Sequence, residues 1–351
     1  MISGKLKKKS RLKGVLNYTL SLLLTALFLY IAFKGVDINE VFRIVSDSSI
    51  IWMIIFIIVQ MFAHYIRSLR WKIILHSVKP EASIKYLFGA LMVGYGVNCV
   101  VPRLGEVTRA VLIGKWENLS RSSMFGTIIL ERVIDVIFLG FAVIIAILIY
   151  SESLLLNFPW LQSTLYFTII FISLIIFLFY MAIRHREKFN NFVVRFFSRF
   201  SEKLAHKIAD MIQMLGEGFS SLKGGKNYLI SFLLSALLII LYAFGSYVGF
   251  FIVGLQNIKE VNYQMGWIVM SISAIGIVIP TPGGTGSYHT LAKSTLVLLF
   301  GFGEAISLAY AFITHIISYF FAIFFSLIIF FVLNKQHDNL LKVVETEIEE
   351  L

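Results

Sequence analysis

The sequence predicts an all-α polytopic membrane protein, with about six full spans and two re-entrant or broken helical hairpins. Three observations carry this prediction: 58% of the 351 residues are apolar, only 15% are charged, and the mean hydropathy is +0.84. A soluble domain of this length could not hide so much apolar surface in one core. The single cysteine, Cys99, excludes an internal disulfide and a cysteine-based zinc site.

Apolar segments of spanning length recur along the chain. A helix needs about 20 apolar residues to cross the hydrocarbon core of a bilayer. The first segment is interpreted as an uncleaved helix, because it is too long for a signal peptide and no small-residue cleavage site follows it. The six predicted spans are at about 15–33, 50–65 (continuing as a helix to 71), 124–150, 165–183, 228–253 and 306–333.

Two further apolar segments are each interrupted by proline and glycine. The first, about 86–116, breaks at 101–105, and the second, about 263–300, breaks at 280–286. Irregular backbone is tolerated at membrane depth only where it is buried in protein or lines a wet cavity. The breaks therefore predict two helical hairpins around a polar site. The alternative is a pair of glycine and proline kinks in an ordinary helical bundle.

Basic residues accumulate on one side of this topology. The formal charge of +11 comes largely from residues 5–13, 67–85, 115–121 and 184–226, whereas the opposite loop at 34–49 carries more acids than bases. The positive-inside rule then predicts a multi-pass protein of the cytoplasmic (inner) membrane with both termini in the cytoplasm. We attribute the charge to orientation and attraction to the lipid bilayer surface, and expect no nucleic-acid partner.

The order of spans and hairpins is the same in the two halves of the chain. We interpret 1–351 as a single membrane domain with halves at 1–159 and 160–333 and a cytoplasmic tail at 334–351. Each half holds three spans, so the second half enters the membrane with opposite orientation. This pattern predicts an inverted-topology repeat, as in secondary transporters. Residues 184–226 are predicted to form an amphipathic helix on the inner leaflet, or a cytoplasmic connector packed on the bundle.

Ionisable residues are concentrated in the first hairpin and the span after it. Each costs about 2.5–3.5 kcal/mol at membrane depth, so each is expected to have a role. Glu131 and Asp135 share a helix face and repel unless a cation lies between them; Arg103 and Arg109 are the predicted partners. Two roles remain open: an ion-pair network that locks the hairpin, or guanidinium groups that hold a lipid phosphate. The full set is Arg103, Glu106, Arg109, Glu131, Arg132 and Asp135.

Residues around the first break are predicted to extend this substrate site. Gly105 is expected to permit a tight turn and to open the helix that carries Glu106, whose free N–H groups suit an anion. Asn98 is expected to bond either the loop or a headgroup. Arg67 and Arg70 are interpreted as interface anchors that snorkel, or as a cytoplasmic access site for a lipid headgroup.

The second break supplies neutral polar groups. Gly283 and Gly284 permit close approach of another backbone or of a ligand. Thr281, Ser287 and His289 are predicted to contribute polar contacts to the substrate. The alternative interpretation is a tight helix crossing that requires small residues.

These motifs together resemble a known family. They run from Asn98 to Pro102-Arg103-Leu104-Gly105-Glu106 and Arg109, then Glu131-Arg132 and Asp135, then Pro280-Thr281-Pro282-Gly283-Gly284. This pattern is similar to the flippase-like membrane family named for the transmembrane region of lysylphosphatidylglycerol synthases, over about residues 15–333. The resemblance implies a protein that moves, or helps to move, an anionic or polyprenyl-linked lipid between leaflets. Many members have a glutamate where this chain has His289.

The expected function is that of a lipid translocase, and two alternatives stay open. One is a membrane-embedded enzyme acting on a lipid phosphate or lipid-linked sugar, with Glu106, Glu131 or Asp135 as the base. The other is a structural protein of envelope assembly. Aminoacyl-lipid synthesis is not expected, because the sequence carries no soluble synthase domain. No cofactor or metal is expected, and another copy of the chain or an envelope-biosynthesis protein could be a further partner.

Energy coupling is a separate expectation. The sequence has no phosphate-binding loop of the GxxxxGK[ST] type, so uphill transport would draw on an ion gradient or the membrane potential. Headgroup binding to the arginines is predicted to be linked to protonation of Glu131 or Asp135.

Overall fold

A computed structural model describes residues 19–76, 78–163, 225–279 and 281–334, together with isolated positions between 166 and 202. Within these residues the regular structure is helical, and no strand is present. Short 3₁₀ turns lie at Leu255–Asn257 and Pro282–Gly284. The helices are α1 (Thr19–Phe33), α2 (Ile38–Ser46), α3 (Ile50–Leu75), α4 (Ile84–Val100), α5 (Leu104–Trp116), α6 (Arg121–Ile149), α7 (Ser151–Asn157), α8 (Gly225–Ile252), α9 (Tyr263–Val278), α10 (Ser287–Phe300) and α11 (Glu304–Asn334).

Several of these helices can cross a membrane. Helices α3, α6, α8 and α11 contain 26, 29, 28 and 31 residues and are apolar enough to span, and α1 with α2 forms a further candidate. The chain is therefore a polytopic α-helical membrane protein, as predicted. The predicted span at 165–183 lies mostly outside the described residues. So do residues 5–13, nearly all of 184–226, and the tail from 335 onward.

Residues 34–49 are predicted to be a loop, but in the structure they contain helix α2. The chain turns through 88° between α1 and α2. Gly35 supplies the positive φ of 78° in this turn, and Asp37 caps α2 by accepting from the Asn39 N–H at 2.9 Å. Because α2 has only 9 residues, its apolar pattern is too short to distinguish it from a loop by sequence.

The first hairpin is formed by α4 and α5. These helices have 17 and 13 residues, which at about 1.5 Å per residue is less than a hydrocarbon core of about 30 Å. The ring of Tyr86, near the start of α4, lies 5.7 Å from the ring of Trp116 at the end of α5. The chain thus folds back on itself at 101–103, where the sequence predicts a break.

The second hairpin is formed by α9 and α10, of 16 and 14 residues. Asn262 caps α9 by accepting from the Met265 N–H at 3.0 Å. At the break, the Ser287 hydroxyl donates to the Gly276 carbonyl at 2.6 Å, and a Cβ at Gly276 would lie 2.9 Å from the Ser287 backbone. Beside the break, the two helices therefore approach each other with almost no side chain between them.

The described residues fall into two compact units. Unit A comprises 19–61, 95–105 and 241–328, and unit B comprises 62–94, 106–240 and 329–334. In unit A, α8 and α11 cross closely at Gly249. A Cβ added at Gly249 would lie 2.7 Å from the ring of Tyr310. The core of unit B is built from large side chains that are fully buried, among them Trp71, Leu75, Leu87, Leu112 and Met124.

Candidate functional site: an arginine–carboxylate cluster

Unit B contains a cluster of charged side chains carried by three helices. Helix periodicity explains the grouping, since residues three or four apart share a face. Positions 67 and 70 of α3, 106 and 109 of α5, and 131 and 135 of α6 each form such a pair. We call the following seven residues the charged cluster: Arg67, Arg70, Glu106, Arg109, Glu131, Arg132 and Asp135.

Glu131 is the centre of the charged cluster. Its side chain is completely buried, and it accepts from Arg67 Nε and from Arg109 Nη2, both at 2.6 Å. Arg70 Nη2 lies 3.5 Å from the same carboxylate. A buried carboxylate is stable only when it is paired and hydrogen-bonded, and these three guanidinium groups meet that requirement.

Asp135 shares two of these arginines. Arg70 Nη2 donates to Asp135 Oδ1 at 2.6 Å, and Arg67 Nη2 donates to Asp135 Oδ2. Arg67 therefore bridges the carboxylates of Glu131 and Asp135. The prediction that a cation separates these two acids is confirmed, and so is Arg109 as a partner.

The prediction that Arg103 is the second partner is wrong. Within the described residues Arg103 takes part in no ion pair with Glu131 or Asp135, and the bridging arginine is Arg67. Arg103 is the partner expected from the sequence because it lies near Glu131 and Asp135 along the chain. The actual partner is 64 residues from Glu131 and is brought in by the packing of α3.

Arg67 and Arg70 are also not interface anchors. An anchor that snorkels keeps its charged head in water, but Arg67 is 6% exposed and Arg70 is 1% exposed. Arg70 makes a further bond from Nη1 to the Ser235 hydroxyl at 3.1 Å. The sequence does contain a signal for this shared site. Arg67 and Arg70 are three residues apart, a spacing that places both guanidinium groups on one face of α3.

Arg109 has buried donor groups that no described residue accepts. It is 2% exposed, and its guanidinium carbon lies 4.2 Å from the ring centroid of Trp71. Trp71 is held in place by its Nε1–H, which donates to the Thr127 hydroxyl at 3.1 Å. Nη2 of Arg109 is used by Glu131, whereas Nε and Nη1 are buried and find no acceptor within the described residues. Two donors of a buried cation are thus available to an anion.

The remaining members lie at the more exposed edge of the charged cluster. The Arg132 side chain is 39% exposed and lies 3.7 Å from Glu106, 3.8 Å from Glu131 and 3.6 Å from Asp135. The charged cluster contains four arginines and three carboxylates, which leaves a formal excess of one positive charge. This arrangement can accept a monovalent anion without any change in the ionisation of its members.

The first break belongs to unit A and has a different geometry from the one expected. The Asn98 side-chain oxygen accepts from the Gly105 N–H at 2.7 Å, so of the two predicted roles Asn98 bonds the loop. The residue with positive φ is Arg103, at 67°, and not Gly105, which lies inside the first turn of α5. Such a conformation is uncommon for a residue with a Cβ and costs about 1–2 kcal/mol.

The polar groups of the second break, also in unit A, bond mainly to one another. The Thr281 and Ser287 hydroxyls are 3.3 Å apart, and His289 Nδ1 accepts from the Gly286 N–H at 3.2 Å. A Cβ at Gly283 would collide with the Tyr319 ring, and one at Gly284 would lie 3.3 Å from Ile277. These contacts favour the tight crossing that needs small residues.

Histidines form a contact that sequence reasoning did not identify. The ring centroids of His289 and His315 are 4.7 Å apart, and His315 Nε2 lies 3.2 Å from the Thr285 hydroxyl. The two residues are separated by 26 positions in sequence and lie on different helices, α10 and α11. No local pattern connects them.

Comparison with known proteins supports a single family assignment. Two curated relatives are described as UPF0104 membrane proteins. One, from Methanocaldococcus jannaschii, is 23% identical over 219 residues, which cover 60% of this chain and 62% of the relative. The other, from Methanothermobacter thermautotrophicus, is 26% identical over 255 residues, which cover 66% of this chain and 69% of the relative.

The chain thus matches somewhat less than two thirds of the first relative's length. The family model described as the lysylphosphatidylglycerol synthase TM region matches residues 18–326, most of the 351-residue chain. That range includes every residue of the charged cluster. The chain therefore belongs to the lysylphosphatidylglycerol synthase TM region family.

Proposed function

We propose that this protein moves an anionic phospholipid or a polyprenyl-phosphate-linked lipid between the leaflets of the cytoplasmic membrane. The observation that carries this proposal is Arg109, a buried arginine with two donor groups that no described residue accepts. Guanidinium N–H groups donate charge-assisted hydrogen bonds to phosphate, and buried donors without partners are costly. A lipid phosphate at the charged cluster would accept a hydrogen bond from one of these two groups and neutralise the excess positive charge.

Three further observations support a lipid as the substrate. The charged cluster lies among helices of a polytopic membrane protein, where the anions of highest local concentration are lipid headgroups. The family is described by the name of a synthase whose product is an aminoacylated phospholipid. The short helices of both hairpins also resemble the broken helices that line substrate sites in transporters.

A membrane-embedded enzyme is less well supported. A general base must lie within hydrogen-bond reach of the proton that it removes. Glu131 and Asp135 each accept hydrogen bonds from two arginines, so both carboxylates are already engaged by cations.

The function is tested first by binding. The Arg109→Lys variant retains the positive charge but loses the planar guanidinium group with its Nε and Nη1 donors. The affinity for dihexanoyl phosphatidylglycerol and for farnesyl phosphate should fall at least about tenfold, the equivalent of one hydrogen bond to a charged group. Purified protein in detergent, titrated with each lipid and followed by native mass spectrometry, gives this measurement.

Transport is measured in liposomes with fluorescent phosphatidylglycerol and dithionite quenching of the outer leaflet. Arg195→Lys is the matched control, because Arg195 is exposed and lies outside the charged cluster. The expected result is slow lipid movement in Arg109→Lys and normal movement in Arg195→Lys. Equal binding and equal movement in both variants, at unchanged thermal stability, would refute phosphate recognition by Arg109.

The inverted repeat and the cytoplasmic termini make a separate prediction about topology. Single cysteines introduced at Asn257 and at Ser201, in a Cys99→Ala background, are labelled in intact cells with a membrane-impermeant maleimide. We expect labelling at 257, whose side chain is exposed, and none at 201 until the membrane is permeabilised. Strong outside labelling at 201 would contradict both the orientation and the inverted repeat.

A further inference from the structure

A polar cavity lies in unit A and is not part of the charged cluster. It has a volume of about 560 Å³, which is within the range of about 300–1,000 Å³ for small-ligand sites. Its walls come from the end of α2, the start of α3 and the turn after α8. The Ser49 N–H donates to the Ile252 carbonyl at 2.9 Å, and this bond joins two of these walls.

The cavity is placed where lipid headgroups are found. It lies at the first turn of α3 and the last turn of α8, both of which are long enough to span, so it is at an end of each. Helix α2 turns by 88° from α1 and exposes Ile38 and Phe42 on one face, as a helix in the membrane interface does. The nearest source of ligand is therefore the bilayer surface.

The lining has groups of both charges. Arg43 on α2 and Asp47, the residue that directly follows α2, both line the cavity, yet they form no ion pair with each other within the described residues. Gln256 also lines it, and its Oε1 is buried and has no hydrogen-bond donor within the same residues. Trp52, stacked on Phe251 at 4.5 Å, adds an aromatic wall. The cavity thus offers one anion-binding group and several groups that attract a cation.

We propose that this cavity binds the headgroup of a zwitterionic aminophospholipid. The phosphate pairs with Arg43, and the primary ammonium donates to Asp47 and to Gln256 Oε1. An ammonium next to Trp52 gains cation–π attraction as well. The apolar side chains Ile44 and Val253 complete the lining beside the acyl chains. This inference does not depend on the proposed translocase function.

The test uses the full chain in detergent with a diazirine-bearing phosphatidylethanolamine, followed by mass-spectrometric mapping of the labelled peptides. We expect labelling within residues 43–57 and 251–257. Unlabelled dihexanoyl phosphatidylethanolamine should compete, and its apparent affinity should fall about tenfold in Arg43→Gln and in Asp47→Asn. Lys34→Gln and Glu40→Gln make the same charge changes at exposed positions that do not line the cavity, and should behave as wild type.

Each other outcome overturns the proposal. If dihexanoyl phosphatidylglycerol competes as well as the ethanolamine lipid and Asp47→Asn has no effect, the cavity binds anions and not zwitterions. If free phosphoethanolamine competes equally, the ligand is a soluble molecule and not a lipid. Labelling outside the two segments, or equal loss in the control variants, would show that the cavity binds no specific headgroup. Thermal unfolding of each variant excludes loss of fold as the cause.

Discussion

Replacement of Glu131 by glutamine is expected to destabilise the protein by about 3–5 kcal/mol. This is the range for removing one partner of a buried ion pair and leaving the other partner buried. The carboxylate of Glu131 is fully buried and accepts from both Arg67 and Arg109 at 2.6 Å. A neutral amide of the same shape leaves these buried guanidinium groups without their central counter-charge. The free energy of unfolding in mixed SDS micelles, together with the thermal midpoint in detergent, measures the effect.

Glu106→Gln is the matched control for this substitution. The Glu106 side chain is 22% exposed and lies 3.7 Å from Arg132, which is itself partly exposed. Exposed ion pairs contribute about 0–1 kcal/mol, so the change in stability should be small. If Glu131→Gln were as mild as Glu106→Gln, the charged cluster would not be the electrostatic centre of unit B.

Gly286→Ala is expected to cost about 3 kcal/mol or more, from the sum of overpacking and backbone strain. A Cβ at Gly286 would lie 2.8 Å from the Thr25 carbonyl oxygen and 2.9 Å from the Phe28 Cβ, both on α1. The φ of 89° is also unfavourable for any residue with a side chain. Reduced expression and a lower thermal midpoint are the expected observations.

Gly301→Ala separates the cost of overpacking from the cost of backbone strain. Gly301 has a φ of 67°, but a Cβ there would meet no atom within 4 Å. This variant should lose only the conformational part, about 1 kcal/mol. Equal losses at Gly286 and Gly301 would mean that the approach of α1 to the second break adds no packing constraint.

The first hairpin shows where local reasoning succeeds. Proline and glycine interrupt an apolar segment at 101–105, and the chain breaks at that point because these residues disfavour continued helix. The prediction that Gly105 makes the tight turn was wrong, because the residue with a left-handed backbone conformation is Arg103. Which residue takes the strained conformation depends on where α5 begins, and the Asn98 bond to the Gly105 N–H contributes to that start.

The charged cluster shows where local reasoning stops. The cost of charge in a membrane marks Glu131, Asp135 and Arg109 as a group from sequence alone. The sequence could not identify Arg67 as the bridging cation, because the choice between Arg67 and Arg103 depends on how α3 packs against α5 and α6.

Composition and periodicity by themselves determined that this chain is a helical membrane protein, because about 20 apolar residues in a row have few other stable environments. They also determined the positions of the hairpin breaks and the presence of buried charge. The tertiary structure decided the pairing of those charges, the unused donors of Arg109 and the contact of Gly286 with α1. Each of these joins residues far apart in sequence, and such contacts are set by helix packing, which no local pattern of residues encodes.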